Sequence, residues 1–295
     1  MKSRTWQADG LLMVTAIIWG LAFVAQRASM EHIGPFVFNS ARFALGCLSL
    51  LPLLWWRRNG PAQPFRPLLL GSLAAGTLLF AGSSLQQIGL VYTTAANAGF
   101  ITGLYIVMVP ILALFWRHKT DAYTWIGAFV SLVGLFMLSM TDQWTLAYGD
   151  LLELIGALFW AGHVLLIGWL CRRLDPIRLA LGQFLVCTLL SLGAALLWEQ
   201  FDLQALSNVW VPIGYAGILS VGVAYTLQVV AQRHAPAAHA AIILSLESVF
   251  AALGGWLLLD ESLGTRGLLG CAIMLSGMLI SQLPVMRDRS RPEPA

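Results

Sequence analysis

The sequence is divided into ten long apolar runs, and each run has the length of a helix that crosses a membrane. Such a helix needs about 20 largely apolar residues to span a hydrocarbon core about 30 Å thick. The polar segments between the runs are too short to hold a soluble domain. We therefore predict an all-α integral membrane protein with ten transmembrane helices. The predicted spans are residues 10–28, 35–56, 68–90, 95–116, 123–140, 149–170, 176–198, 209–230, 237–259 and 264–283.

The composition supports this prediction and excludes several classes of protein. Hydrophobic residues make up 58% of the 295 residues, and charged residues only 11%. A typical soluble domain is about 25% charged, so this chain lacks the polar side chains to cover a soluble surface. The net charge of +3 is too small to indicate a nucleic-acid partner. The four cysteines lie in or at the ends of apolar runs without metal-ligand spacing, so we expect no metal or other cofactor.

Lysine and arginine residues are distributed unevenly between the two sides of the predicted bundle. Of the 17 such residues, fourteen lie at the termini and in the loops on the same side as the termini. The opposite loops contain only Arg27 and Arg266, and Arg42 lies within a span. Because basic residues are retained on the cytoplasmic side, we predict that both termini are cytoplasmic, including a tail of residues 284–295.

The two halves of the sequence resemble each other at a nearly constant offset of 141 to 143 residues. Each half contains five spans, an odd number, so the second half enters the membrane from the opposite face. We therefore predict two inverted five-helix repeats, residues 9–141 and 149–283. This plan is typical of secondary transporters, which bind their substrate near the midplane. The matched pairs are Trp19 and Trp160, Pro35 and Pro176, Gln86 and Gln228, Asn97 and His239, Gly127 and Gly270, and Gly134 and Gly277.

Six short motifs lie along the sequence, three in each half. They are Ile18-Trp19-Gly20-Leu21-Ala22-Phe23, Arg42-Phe43-Ala44, Tyr92-Thr93-Thr94-Ala95-Ala96-Asn97-Ala98, Ala235-Pro236-Ala237-Ala238-His239-Ala240, Leu246-Glu247-Ser248-Val249-Phe250 and Asp260-Glu261-Ser262-Leu263. Together they resemble the drug/metabolite transporter superfamily, specifically its EamA-type members, over nearly the whole chain. One departure is Trp116-Arg117-His118-Lys119, where the family often has Gly-Glu after the fourth span. No role of that acid is carried over to this chain.

The resemblance implies a bundle of two EamA repeats in the inner membrane of a bacterium. Family members move small solutes, often outward, and handle amino acids, other metabolites and drug-like cations. We therefore expect a secondary transporter that exports small metabolites such as amino acids by alternating access, with multidrug or cation efflux as the alternative. Its expected partners are a small-molecule solute, the lipid bilayer and protons as a coupling ion.

Glu247 is the first candidate site residue, because ionisable residues within a span are costly and usually face a cavity or a partner. It lies 11 residues after Pro236, or about 16 Å along a helix, which places it near the middle of the membrane. No other carboxylate is predicted to lie so deep. Three roles are open: a proton-coupling group, a counter-ion for a cationic substrate group, and a structural hydrogen-bonding group. Its equivalent in the first repeat is Tyr105.

Two basic side chains within the spans are further candidates. Two roles are open for Arg42. We expect it either to bind a substrate carboxylate or to join helices through Glu247 or a backbone carbonyl. His163 acts as a proton carrier, since its free pKa lies near neutrality, or is satisfied by a neighbour.

Uncharged residues complete the predicted site. Glutamines offer hydrogen bonds to substrate or across helices, and aromatic rings can line a cavity that stacks on cations. The pattern Gly99-x-x-x-Gly103 leaves two roles open, packing within the bundle and association of two copies. We also expect His239 and Asn97 to cap the starts of equivalent helices. The uncharged site candidates are Trp19, Phe23, Gln86, Trp160, Tyr225 and Gln228.

No motif in the sequence favours an enzyme. The zinc-protease pattern H-E-x-x-H, the nucleophile elbow G-x-S-x-G and the Walker A pattern are all missing from it. A membrane-embedded enzyme is therefore disfavoured, and a sensor is disfavoured because the sequence has no segment long enough for a soluble output domain.

The charge asymmetry predicts which loops a membrane-impermeant thiol reagent reaches. Single cysteines at Asn59 and Gln143 would lie on opposite sides of the membrane. In intact cells with a permeabilised outer membrane, only position 143 should be labelled. Labelling confined to position 59 would invert the predicted topology.

Overall fold

The structure, a computed structural model, describes residues 2–57, 63–115, 121–139, 148–260 and 264–289, and all regular secondary structure in them is helical. The labelling positions Asn59 and Gln143 lie outside the described residues, as do the loop Trp116–Lys119 and the last six residues of the predicted tail. The last helix continues through the first part of that tail, to Arg289.

Fourteen α-helices and one π-helical segment make up the regular secondary structure of the described residues. The π-helical segment is Tyr215–Tyr225. The α-helices are α1 Lys2–Ser29, α2 Pro35–Trp56, α3 Phe65–Tyr92, α4 Ala95–Gly103, α5 Tyr105–Phe115, α6 Ala122–Ser139, α7 Tyr148–Leu170, α8 Pro176–Trp198, α9 Leu203–Asn208, α10 Trp210–Gly214, α11 Thr226–Ala231, α12 Ala237–Leu244, α13 Glu247–Leu258 and α14 Thr265–Arg289.

The predicted all-α membrane fold is confirmed in its class. Within the described parts of the chain, eight spans are long and apolar enough to cross a membrane, judged by length and composition. Three of them combine shorter helices. Numbered as in the ten predicted spans, the fourth contains α4 and α5, the eighth contains α10, the π-helical segment and α11, and the ninth contains α12 and α13. The fifth and tenth predicted spans correspond to two shorter apolar helices, Ala122–Met137 and Thr265–Ser281.

The outer surface of the bundle is apolar, as a lipid-facing surface must be. Large aromatic side chains concentrate near helix ends, where the membrane meets water and amphipathic rings are favoured. Trp55, Trp56 and Phe65 are strongly exposed near one end of the bundle, and Trp198 and Trp210 near the other.

The helix contacts are unchanged when the two halves are exchanged. In the first half α3 packs against α7 and α8, and the equivalent eighth span packs against α1 and α2. Individual residues follow the same rule. A Cβ on Gly76 would lie 2.9 Å from the carbonyl oxygen of Gln183, and a Cβ on Gly217 would lie 3.0 Å from that of Arg42. Both pairs are related by the offset of 141 residues that the sequence shows.

Helices α6 and α14 pack chiefly against one another, at the periphery. Their contact is backbone to backbone at four glycines. Gly134 meets the carbonyl oxygen of Gly270, and Gly127 meets that of Gly277. Because the lower number on one helix contacts the higher number on the other, the two equivalent helices run antiparallel.

The fourth and ninth spans are interrupted at equivalent places, which the sequence analysis did not predict. The first break is at Leu104, and the second is at Ser245 and Leu246. Hydrogen bonds of the tighter three-residue type cross both breaks. Tyr105 and Glu247 are the first residues of the helices that follow.

The glycine contact between α6 and α14 predicts a large cost for one methyl group. In Gly134→Ala the new Cβ would lie 2.6 Å from backbone atoms of α14, and overpacking costs about 1–3 kcal/mol. The matched control is Gly193→Ala, where a Cβ meets nothing within 4 Å. We expect a lower thermal-unfolding temperature for Gly134→Ala only. Equal unfolding temperatures would contradict the contact.

Candidate functional site

A cavity between the two halves brings together all ten residues that the sequence analysis singled out. Its residues surround about 440 Å³ of space that atoms do not fill, a figure that includes space open to solvent. The predicted residues on its wall are Trp19, Phe23, Arg42, Gln86, Tyr105, Trp160, His163, Tyr225, Gln228 and Glu247. Five further residues line it: Ala22, Gln26, Thr102, Val164 and Ser220.

Glu247 enters the cavity from the first residue of α13, and only 4% of the residue is exposed. Close packing holds this helix start in place. A Cβ on Gly20 of α1 would lie 2.6 Å from the carbonyl oxygen of Glu247. On the other side, the hydroxyl of Ser248 donates a hydrogen bond to the carbonyl of Gly99. Because the ninth span is interrupted here, Glu247 lies at the start of a helix and lines the cavity. The start of a helix favours negative charge.

Tyr105 occupies the equivalent position at the start of α5. Its hydroxyl is buried beside the carboxyl group of Glu247, which lies within hydrogen-bonding and electrostatic reach of it. The repeat therefore offers one acidic and one neutral polar group at the two interruptions.

Arg42 lies on α2 with 2% of its surface exposed. Its Nη1 donates to Oε1 of Gln26 over 2.7 Å, while Nε and Nη2 have no partner. The rings of Phe38 and Phe43 lie 5.4 and 5.0 Å from the guanidinium carbon, which is close enough for cation–π attraction. Arg42 forms no ion pair with Glu247 within the described part of the chain, so of the alternatives left open for Arg42 the structure does not show that bridge.

A hydrogen-bonded network fixes one wall of the cavity. Nε2 of Gln86 donates to Oε1 of Gln26, the same oxygen that Arg42 uses, over 3.1 Å. Nε1 of Trp160 donates to Oε1 of Gln86, also over 3.1 Å. Gln86 is therefore committed to neighbouring helices. Sequence reasoning missed Gln26, which is the centre of this network.

Gln228, the repeat equivalent of Gln86, has a different environment. Both its side-chain nitrogen and its side-chain oxygen are buried, and neither has a hydrogen-bond partner among the described residues. It lines the cavity. Buried polar groups in proteins are nearly always hydrogen-bonded, so Gln228 is an unsatisfied donor and acceptor at the site.

Tyr225, the last residue of the π-helical segment, lies at the centre of the aromatic residues. Its ring centroid is 4.5 Å from that of Trp19, 6.1 Å from that of Trp160 and 6.2 Å from that of His163. The carbonyl of Ser220 in the same segment accepts a hydrogen bond from Nε1 of Trp19 over 3.3 Å. π-Helical turns are frequent at functional sites.

His163 and Phe23 are also on the cavity wall, and both pack against neighbours. Nε2 of His163 lies 2.8 Å from Oε1 of Gln183, whereas its Nδ1 has no partner in the described residues. Phe23 packs in a small buried cluster with residues that include Ala98 and Ala251. Of the two roles open for His163, the structure therefore shows the hydrogen bond to a neighbouring residue, Gln183.

The structure holds a second buried carboxyl, nearer to one end of the bundle, which the sequence analysis did not single out. Glu153 on α7 has 0% exposure. Its Oε2 accepts a hydrogen bond from the hydroxyl of Thr102 over 3.1 Å, and its Oε1 has no partner. The signal was in the sequence, because Glu153 is an ionisable residue inside the predicted span 149–170.

Asp9 and His239 form a buried pair that the sequence analysis also missed. Nε2 of His239 lies 3.0 Å from a carboxylate oxygen of Asp9 and joins α12 to α1. The predicted capping role of His239 and Asn97 is wrong. Thr94 caps α4 instead, since its hydroxyl accepts a hydrogen bond from the backbone N–H of Asn97. Among the described residues, no group of three His, Cys, Asp or Glu side chains is placed to hold a metal ion.

The two glycines of the Gly99-x-x-x-Gly103 pattern both face α13. A Cβ on Gly99 would lie 2.7 Å from Cβ of Ala251, and one on Gly103 would lie 2.5 Å from the Ser248 hydroxyl. Of the two roles left open, the structure shows packing within the bundle.

An all-helical bundle with an apolar exterior and a polar cavity between two similar halves is typical of multi-pass membrane transport proteins. The model of the EamA-like transporter family matches residues 6–140 and, a second time, residues 147–282. The chain therefore belongs to the EamA-like transporter family and is a multi-pass inner membrane protein. The predicted family is confirmed.

Relatives of known sequence and structure are consistent with this assignment. An uncharacterized transporter of Archaeoglobus fulgidus is 32% identical over 94% of this chain and 86% of its own length. The threonine/homoserine exporter RhtA of Escherichia coli K12 is 26% identical over 94% of this chain and 92% of its own length. A protein of known crystal structure, 18% identical, aligns over 96% of this chain and 99% of its own with a TM-score of 0.76, and so shares the fold.

The network around Gln26 predicts how much stability depends on the partner of Arg42. In Gln26→Leu the guanidinium loses its hydrogen-bond acceptor, and a hydrogen bond to a charged group contributes about 1.5–3 kcal/mol. The control is Gln87→Leu, which removes a 3.4 Å contact between neutral groups and should cost about 0.5–1.5 kcal/mol. Thermal unfolding measures both. A smaller cost for Gln26→Leu than for Gln87→Leu would contradict the role of Gln26.

Proposed function

We propose that this protein is a secondary transporter that exports zwitterionic metabolites, namely amino acids with an uncharged polar side chain, and that the cavity is its substrate site. The family assignment supports transport of small molecules. The name of the Escherichia coli relative, which exports threonine and homoserine, supports this substrate class and the outward direction.

One observation carries the proposal: the cavity contains a buried guanidinium group and a buried carboxyl group that do not pair with each other. Buried charges are costly unless they are paired and hydrogen-bonded. Arg42 keeps two guanidinium nitrogens without a partner, and Glu247 forms no ion pair in the described residues. An α-amino acid supplies both missing partners, its carboxylate to Arg42 and its ammonium group to Glu247. Of the three roles open for Glu247, the proposal assigns it that of counter-ion.

Gln228 supports a polar substrate side chain. Its free amide can donate to and accept from a hydroxyl group, whereas an aliphatic side chain would leave both amide atoms unsatisfied. The aromatic rings around Tyr225 supply an apolar wall for the substrate's carbon atoms.

The repeats support transport by alternating access. We propose that the chain crosses the membrane ten times as two inverted five-helix repeats, residues 9–141 and 149–283, with both termini in the cytoplasm. The antiparallel contact of α6 with α14 and the exchange symmetry of the helix contacts support this arrangement. Interrupted spans at a central cavity are a common feature of transporters built from inverted repeats.

Efflux of hydrophobic cations is the second candidate function. A cation is favoured by aromatic rings together with an acidic group. The cavity wall offers such a set in Trp19, Trp160, Tyr225 and Glu247. Arg42 on the same wall opposes this candidate, because it would repel a substrate without an anionic group. We infer that the protein is not an enzyme, which the transporter names of its relatives support.

A pair of amino acids of equal length tests the proposal. L-Homoserine ends in a hydroxyl group where L-norvaline ends in a methyl group. For the purified protein we expect homoserine to bind about 10-fold more tightly, the ratio for about 1.4 kcal/mol, because norvaline leaves the Gln228 amide unsatisfied. Ligand-induced thermal stabilisation and radioligand binding measure the ratio.

Two variants serve as controls for this measurement. Gln228→Leu should reduce the homoserine preference to near unity. Gln86→Leu, at the equivalent position, breaks a structural network and should weaken the binding of both ligands alike. Binding of tetraphenylphosphonium without binding of either amino acid would favour cation efflux and refute the proposed substrate class.

A further inference from the structure

We infer that Glu153 is a proton-binding site, separate from the substrate site, and that it couples transport to protons entering at the end of the bundle where Asp150 lies. The inference rests on the proposed transport function. It assigns the proton and the substrate to two different carboxyl groups, Glu153 and Glu247.

The surroundings of Glu153 require it to carry a proton in this conformation. The side chain is fully buried, and no lysine, arginine or histidine forms an ion pair with it in the described parts of the chain. A carboxylate in such a place would be left without a counter-charge, which is costly. Oε2 already accepts the Thr102 hydrogen bond, and Oε1 has no partner. Oε1 is therefore the atom that carries the proton.

Glu153 lies between the cavity and one end of the bundle. Thr102, whose hydroxyl bonds to Glu153, is itself on the cavity wall. Asp150 lies one helical turn from Glu153 in the opposite direction, at the start of α7. It is partly exposed and accepts a hydrogen bond from the Thr93 hydroxyl over 2.8 Å. The polar groups thus form a line from the cavity through Thr102 and Glu153 to Asp150.

A close helix contact covers Glu153 at that end. Helices α3 and α7 meet backbone to backbone at Gly89 and Gly149. A Cβ on Gly89 would lie 2.8 Å from Oε1 of Glu153, so the unpartnered oxygen lies directly under the contact. Separation of α3 from α7 would expose this oxygen to water, and closure would seal it again.

Few charged or titratable groups face Glu153. Glu153 interacts electrostatically with two carboxyl groups, that of Asp150 on α7 itself and that of Glu247 on α13. Helix α3 presents Gly89 and α4 presents Thr102, neither of which titrates near neutral pH. Among the remaining neighbours of α7, helix α5 contributes Tyr105 at the cavity, and α12 carries His239, which is paired with Asp9.

The proton step is a simple exchange with water. When α3 and α7 separate, a hydronium ion gives its proton to Oε1, so that one O–H bond breaks and one forms. When the cavity opens to the opposite side, the Glu153 O–H bond breaks and the proton passes to cavity water. The carboxylate that remains is solvated by this water and by Thr102.

Infrared spectroscopy of the full chain in liposomes at neutral pH tests proton binding without any substrate. We expect a carbonyl stretch of a buried carboxylic acid that Glu153→Gln removes. Thr102→Val should shift this band, because it deletes the hydrogen bond but keeps the acid. Glu199→Gln is the matched control: this partly exposed carboxylate accepts two backbone N–H groups at the start of α2, so its loss should leave the band unchanged. A band that Glu153→Gln does not alter would overturn the proposal.

Transport in the same liposomes tests coupling. In Glu153→Gln we expect a pH gradient to lose its ability to drive L-homoserine accumulation, while exchange of L-homoserine between the two sides continues at the wild-type rate. Gradient-driven accumulation at the wild-type level would overturn the coupling role. Loss of exchange in a variant with an unchanged unfolding temperature would also overturn it, because Glu153 would then act on the substrate. If the wild-type protein moves no amino acid, the proposed function fails, and the infrared result still decides whether Glu153 binds a proton.

Discussion

The structure depends on one constraint: inside a membrane, every polar group must find its partner within the protein or in a cavity. Backbone groups satisfy it through helices, and the two helix interruptions occur where the freed backbone adjoins the polar cavity. The side chains follow the same rule. Arg42 is held by Gln26, Trp160 by Gln86 and His163 by Gln183. The groups that remain without partners at the cavity therefore indicate where a substrate binds.

The frame of the protein is symmetric, but its chemistry is not. Each charged or free polar group in the site has an equivalent that is neutral or already bonded. Glu247 is equivalent to Tyr105, Arg42 to Gln183, and the free Gln228 to the bonded Gln86. A symmetric frame lets the two halves exchange roles about the cavity, while asymmetric side chains make a single site for one asymmetric solute.

The cavity residues could be predicted from the sequence because polar residues are rare in apolar spans and cannot face lipid. This reasoning needs no tertiary structure, and it located Glu247, Arg42 and Gln228. The helix breaks could not be predicted in the same way. Neither Leu104 nor Ser245 is a helix breaker, and the breaks arise where α4 and α13 pack closely through Gly99 and Gly103. The π-helical segment likewise packs against α1 and α2, which local sequence does not show.

The partners of the site residues were the least predictable part. Gln26 has no equivalent glutamine in the second half, so the repeat did not mark it. The hydrogen bond between Thr102 and Glu153 joins residues that are 51 positions apart. The packing of their two helices cannot be predicted from local sequence patterns. Such pairs follow from rotation and depth of each helix, which tertiary packing decides.

The central claim is that Glu247 holds the ammonium group of the substrate. The most direct measurement is the affinity of Glu247→Gln for L-homoserine, together with its rate of homoserine exchange and its unfolding temperature. The account predicts that binding and exchange are both lost while the unfolding temperature changes little, because glutamine keeps the size and hydrogen-bonding ability of the side chain but not its charge. Wild-type affinity and exchange in Glu247→Gln would contradict it.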